Sequence, residues 1–130
     1  MKLLLDTRIA LWAVANSPRL SRAARELILS PENSVWVSAA SVWEIAIKHA
    51  LGRGDMPVSG ARANELFAQS GYLPLPIDAK HAASVALLPT QGVHADPFDR
   101  LLIAQARAES MTLLTHDDAV AAYGDGVMRV

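Results

Sequence analysis

Residues 2–15 read KLLLDTRIALWAVA. Lys2 to Leu5 has the length and apolar run of a short buried strand, and residues 6–15 carry the spacing of a helix that follows it directly. The same pairing recurs down the chain. SVWVS (34–38) is strand-like by its β-branched and aromatic content, and SAASVWEIAIKHALG (38–52) is a helix closed by Gly52. GYLPLPI contains a short third strand, after which Asp78 caps AKHAASVALLP. DPFDRLLIAQARAES is helical and leads to the strand MTLLT (111–115), a short helix DDAVAAYG and a terminal strand in GVMRV. Two further helices fill the intervals: one capped by Ser21, bearing Ala24, Leu27 and Ile28 on one face and closed by Pro31, and one near residues 60–70 after the loop 52–60. Short apolar strands alternating with helices predict an α/β fold: three layers, α/β/α, around a central mainly parallel sheet. Folds of this kind bind ligands outside the carboxyl ends of their strands.

The chain has 130 residues, 52% of them hydrophobic, which suits one domain spanning residues 1–130. No apolar run reaches the length of a membrane span, and the leucines after Lys2 are cut short by Asp6, which predicts neither a signal peptide nor a membrane partner. Zero cysteines exclude disulfides, thiolate metal sites and cysteine nucleophiles. A cytoplasmic location is expected. The formal net charge of −1 gives no overall positive field. With four carboxylates gathered around a metal, however, the remaining surface would hold 12 basic against 9 acidic side chains.

Several acids fall where the fold rule directs attention. Asp6 directly follows the first strand, and Asp117 lies two residues beyond MTLLT. Each is equally well placed to cap the helix after it. Glu44 shares a narrow polar stripe with Ser41 and Lys48 on an otherwise apolar helix, facing either a cleft or open water. Asp96 precedes Pro97 and reads as a helix cap. Asp99 stands one turn in, above Leu102, Ile103 and Ala106, so its carboxylate is aimed at the edge of the core or else answers the helix dipole. Together Asp6, Glu44, Asp99 and Asp117 would crowd one crevice, and like charges at close range require a compensating cation. Hard oxygen donors without cysteine or paired histidine point to Mg²⁺, with Mn²⁺ as a substitute. Such a site suits phosphodiester hydrolysis by a metal-activated water.

With these segments in view, LLLDTRIALWA, VSAASVWEIAIKHALGRG, HADPFDRLLIAQA and LLTHD resemble the successive motifs of PIN-domain ribonucleases, in particular the VapC toxins of VapBC-type type II toxin–antitoxin modules. The resemblance runs through essentially the whole chain in order. It implies a PIN fold, metal-dependent endoribonuclease activity on RNA, inhibition by a cognate antitoxin protein, and assembly as a homodimer or a hetero-oligomer with that antitoxin. Carried over by position, the four acids of the family fall on Asp6, Glu44, Asp99 and Asp117, and Asp96 matches a frequent extra aspartate. Arg8 stands where relatives often have histidine.

Thr7, Ser38, Asp96 and Thr115 sit beside these acids as candidates for orienting them, or as caps and strand-end turns. Lys48, Arg53 and Arg100 are candidates for RNA phosphates, against an alternative as solvated helix ends. Trp12, Trp36 and Trp43 read as core residues before base-stacking platforms. His49, His81, His94 and His116 lack the pairwise spacing of zinc ligands. Two rival readings remain beside the ribonuclease: a non-catalytic interaction protein on the same fold, and a phosphoacceptor signalling domain. The second requires an acceptor aspartate after a central strand and a lysine after a late one, and neither VWVS nor MTLLTHD supplies them.

Overall fold

A computed structural model describes residues 1–53, 55–90 and 95–130. His94 and one residue of the 52–60 loop therefore lie outside the described residues. Five strands, β1 (Lys2–Leu5), β2 (Ser34–Ser38), β3 (Leu73–Leu75), β4 (Thr112–Thr115) and β5 (Val127–Arg129), form one sheet in the order β3-β2-β1-β4-β5. Every neighbouring pair is parallel, with Leu3 opposite Val35 on one side and Thr112 on the other. The chain leaves β1 toward β2 and β3 and later returns to β4 on β1's other side. The carboxyl ends of β1 and β4 therefore flank the point where the strand order reverses, which is where a doubly wound sheet opens a crevice.

Seven helices appear among the described residues: α1 (Thr7–Val14), α2 (Arg22–Leu29), α3 (Ala39–Ala50), α4 (Gly60–Gln69), α5 (Ala79–Ser84), α6 (Pro97–Ala108) and α7 (Asp118–Ala121). Strand alternation assigns them to two layers. Leu3, Leu5, Val35, Val37 and Leu114 point to one face, packed with Ile9 and Leu11 of α1, Ala24 of α2, Ile45 of α3 and Phe67 of α4. Leu4 and Leu113 point to the other, against Leu102, Ile103 and Ala106 of α6, Leu88 and Val120 of α7. Burying both sides is why these strands are continuous apolar runs and not alternating ones. The result is the three-layer α/β/α arrangement.

The helix starts are set by side chains. Asp6, Ser21, Ser38, Ser59, Asp78, Asp96 and Asp117 each accept a backbone N–H of the following first turn. Gly52, at φ +64°, ends the turn after α3 in a conformation that glycine adopts without strain. The expected helix AKHAASVALLP is shorter than its pattern. It stops at Ser84 and tightens into a 3₁₀ turn, Val85–Leu87, ahead of Pro89, whose ring cannot continue a helix. No helix among the described residues is long and apolar enough to cross a membrane.

Candidate active site

Asp6 leaves β1 with its backbone N–H bonded across to Leu114 O of β4 at 3.1 Å. Its Oδ1 accepts Ile9 N–H at 2.8 Å, so the carboxylate starts α1 and sits over the β1/β4 junction at once. It is 7% exposed. Burial raises its pKa to about 6, a shift that the hydroxyl of Thr115 and the Ile9 N–H oppose and the nearby charges of Asp99 and Glu44 reinforce. Thr115, at the end of β4, bonds the Asp6 carboxylate and accepts the backbone N–H of Asp117 at 3.1 Å. One hydroxyl thus ties two of the acids together. Asp117, exposed, caps α7 by accepting Ala119 N–H at 2.7 Å.

Glu44 is buried on α3, and both of its oxygens are held. Oε1 lies 2.6 Å from Thr7 Oγ1, and Oε2 lies 2.5 Å from Lys48 Nζ. Thr7 has one hydroxyl proton, which the carboxylate takes, so its 3.0 Å contact with Ser41 is one that Ser41 donates. Of the polar stripe, Glu44 and Lys48 line a crevice and form an ion pair, while Ser41 is fully buried behind Thr7. On α6, Asp96 Oδ1 accepts the backbone N–H of Asp99 at 2.9 Å.

A crevice of about 540 Å³ is lined by Asp6, Glu44, Asp96, Asp99 and Asp117, together with Thr7, Lys48 and Asp55 and with Arg8, Trp12, Arg19 and His116. A larger apolar groove, about 840 Å³, runs between α3, α4 and β3 and is lined by no carboxylate or imidazole. The smaller crevice is where chemistry can occur. Several hard oxygen donors gathered beside the Lys48 ammonium and the Arg8 and Arg19 guanidinium groups, with one aspartate whose pKa burial raises to about 6, form a donor set of the kind a divalent cation takes.

A family model described as "PIN domain" matches residues 3–126. The chain belongs to the PIN-domain family. Ribonuclease VapC16 of Mycobacterium tuberculosis is 37% identical over 71 residues, covering 51% of this PIN domain and 50% of that protein, so the match spans about half the length of its curated relative. Among solved structures, VapBC2 of Rickettsia felis, bound to a DNA fragment from its promoter, superposes with a TM-score of 0.71 at 17% identity, covering 100% of this chain and 98% of that one. VapBC-1 of nontypeable Haemophilus influenzae gives 0.69 at 22% identity, with 100% and 97% covered. At these identities the two structures speak for the fold.

Not every residue singled out in the sequence reaches the crevice of the PIN domain. The Ser38 hydroxyl donates to Gln105 Oε1 at 2.5 Å and accepts Ala40 N–H, so it orients no acid. Arg100, one residue from Asp99, turns about 100° around the helix. Its guanidinium bonds Pro89 O at 2.7 Å, Tyr123 OH at 3.0 Å and Val85 O at 3.4 Å, and so ties α6 to its neighbours instead of meeting a phosphate. Arg53 does not line the crevice but borders a recess with His49 and Met56 that adjoins it at Asp55. Trp43 is 54% exposed, not core, and meets Phe98 edge to face at 5.0 Å. Trp36 is half-buried, with its indole N–H on Ser34 Oγ at 3.1 Å.

Asp78, His81 and Glu109 bring one ligand atom each within 4.8 Å of one another. In this cluster His81 Nδ1 accepts the Asp78 N–H at 3.2 Å, completing a capping box, while Nε2 lies 2.7 Å from Glu109 Oε1. Nδ1 thus serves the start of α5, and Nε2 joins α5 to the end of α6. Arg19 and Asp55 are crevice residues that the sequence reading did not single out, and His116 was weighed there only as a zinc ligand. His116 alone had a local signal, since it immediately precedes Asp117.

Proposed function

We propose that the chain is a VapC-type toxin: an Mg²⁺-dependent endoribonuclease, active with Mn²⁺ in its place, held in check by a cognate antitoxin protein. One observation carries the reading. In a chain of the PIN family, acids from four separate stretches, at the ends of β1 and β4 and on α3 and α6, line one crevice. The half-length match to a ribonuclease and the likeness to toxin–antitoxin complexes support it.

Asp6, Glu44, Asp99 and Asp117 would hold the cation. Bound Mg²⁺ supplies the positive charge that makes a water nucleophilic at neutral pH and steadies the leaving oxygen of an RNA phosphodiester. Thr115 orients Asp6, Thr7 orients Glu44, and the Asp96 cap fixes the first turn that presents Asp99. Lys48 pairs with Glu44 and offsets its charge in the crevice. The working unit we infer is residues 1–130 as one domain, cytoplasmic, paired as a homodimer or with the antitoxin.

The test is RNA cleavage by wild type, Asp6→Ala and Asp99→Ala with Mg²⁺ or Mn²⁺, read by mapping new 5′ ends after induced expression. Site-specific cuts should appear for wild type alone. Undiminished metal-dependent cleavage in both variants would refute the site, and no cuts by wild type would refute the ribonuclease.

A further inference from the structure

One flank of the acid crevice is neither acidic nor aliphatic. Arg8 and Trp12 lie one turn apart on the same side of α1, His116 stands against Trp12, and Arg19 lines the same crevice. Trp12 is half-buried: it packs against the core beneath α1 and also lines the crevice. His116 is exposed, and its ring meets Trp12 with centroids 5.5 Å apart and planes at 71°. Its Nδ1 lies 3.1 Å from Val130 O. A carbonyl only accepts, so Nδ1 carries the proton and Nε2 is the ring atom left to meet a ligand. The two rings are thus held from behind, one by the core and one by the β5 end of the sheet. Two nearly perpendicular aromatic planes form a corner into which one flat heterocycle can stack against one ring with its edge on the other.

Resting on the ribonuclease reading of the same crevice, we propose that Trp12 and His116 form a subsite for one unpaired nucleobase of single-stranded RNA, beside the phosphate held at the acids, with Arg8 and Arg19 meeting the neighbouring phosphates. The crevice volume suits more than a hydrated cation, falling in the ~300–1,000 Å³ range of ligand clefts. Stacking requires an exposed π-face, which single strands offer and duplexes hide. Guanidinium groups beside the aromatic corner supply the backbone attraction that stacking alone lacks.

The experiment has a binding arm and a cleavage arm. For binding, the Asp99→Asn protein is titrated with a labelled random-sequence single-stranded RNA in Mg²⁺, alone and with Trp12→Leu, Trp12→Phe or His116→Ala added. Trp12→Leu should weaken binding about tenfold, Trp12→Phe should recover most of it, and His116→Ala should cost severalfold. His116 is exposed, so this last variant reads the subsite even where Trp12→Leu unfolds the chain. For cleavage, an oligonucleotide spanning a site that wild type cuts is made abasic at each flanking position in turn. One abasic position should slow wild type about tenfold and leave Trp12→Leu unaffected. Affinities within twofold for both Trp12→Leu and His116→Ala would overturn the subsite, as would equal sensitivity of wild type and Trp12→Leu to every abasic position. Trp12-dependent RNA binding without any cleavage would leave the subsite standing and remove the ribonuclease reading. Cleavage that ignores Trp12 and His116 would do the reverse.

Discussion

At the scale of single residues, the acids at the helix starts serve two purposes with one side chain. Asp6, Asp96 and Asp117 each satisfy an orphan N–H and also line the crevice. Cap and candidate ligand are therefore compatible roles, because a carboxylate has two oxygens and a cap uses one. Asp6 makes a pH prediction. Its raised pKa means that, between about 4 and 6, the folded metal-free protein holds a proton that the unfolded chain has lost. That contribution to stability is present below about pH 4 and is lost as pH rises through 6, a change on the order of 3 kcal/mol. Asp6→Asn keeps a cap acceptor and removes the titration. It should be more stable than wild type at pH 7.5 without metal, and denaturant melts at pH 4 and 7.5 would show the difference shrink at low pH. Thr7 makes a second. Thr7→Val keeps the shape and removes the hydroxyl that fixes Glu44, and it should lower kcat for RNA cleavage roughly 10–100-fold. An unchanged kcat would show that Lys48 alone positions Glu44.

At the scale of elements, two contacts decide how helices meet. Gly60 opens α4 against α3, where an added Cβ would lie 2.6 Å from Ala46 Cβ. Gly60→Ala should cost about 1–3 kcal/mol, read as a lower urea midpoint with little change in m-value. Gln105 is fully buried on α6 and joins three elements, accepting from Ser38 and donating to Pro76 O at 3.2 Å. Gln105→Leu strands those partners, and a loss of about 1–3 kcal/mol should follow without a change in cleavage rate, since the network is turned away from the acids. The same network decides between the two roles that the sequence leaves open for Ser38, and the cap is the one it fills. A serine at a strand end beside other site residues looks like a donor to them, and only the packing of α6 reveals a closer acceptor. Arg100 illustrates the same point: one step along a helix changes its neighbours completely.

For the whole molecule, the crevice exists because the strand order reverses between β1 and β4. Four acids separated by up to 111 positions in the chain, from Asp6 to Asp117, come to one opening. A cation there would cross-link β1, α3, α6 and the end of β4, and would favour their ionised carboxylates. Mg²⁺ or Mn²⁺ should therefore raise the melting temperature clearly at pH 7.5 and much less at pH 5, where the Asp6 proton competes with the metal. Thermal melts with and without metal check this, and a shift independent of pH would argue against Asp6 as a ligand.

The sequence by itself determined the strands, most of the helices and caps, and the two-sided burial of the sheet. Those features are local or periodic: apolar runs, 3.6-residue spacing, a serine or aspartate before a first turn. It also marked Asp6 and Asp117, because a position at a strand's end is legible along the chain. Tertiary structure alone decided that Glu44 is paired with Lys48 and clamped by Thr7, that Arg100 is spent on Pro89 and Tyr123, and that Trp12 meets His116 on the crevice wall. These depend on which face each helix turns inward and on which distant segment arrives opposite it. Side-chain direction changes by about 100° per helical residue, so such neighbours follow from packing and not from order along the chain.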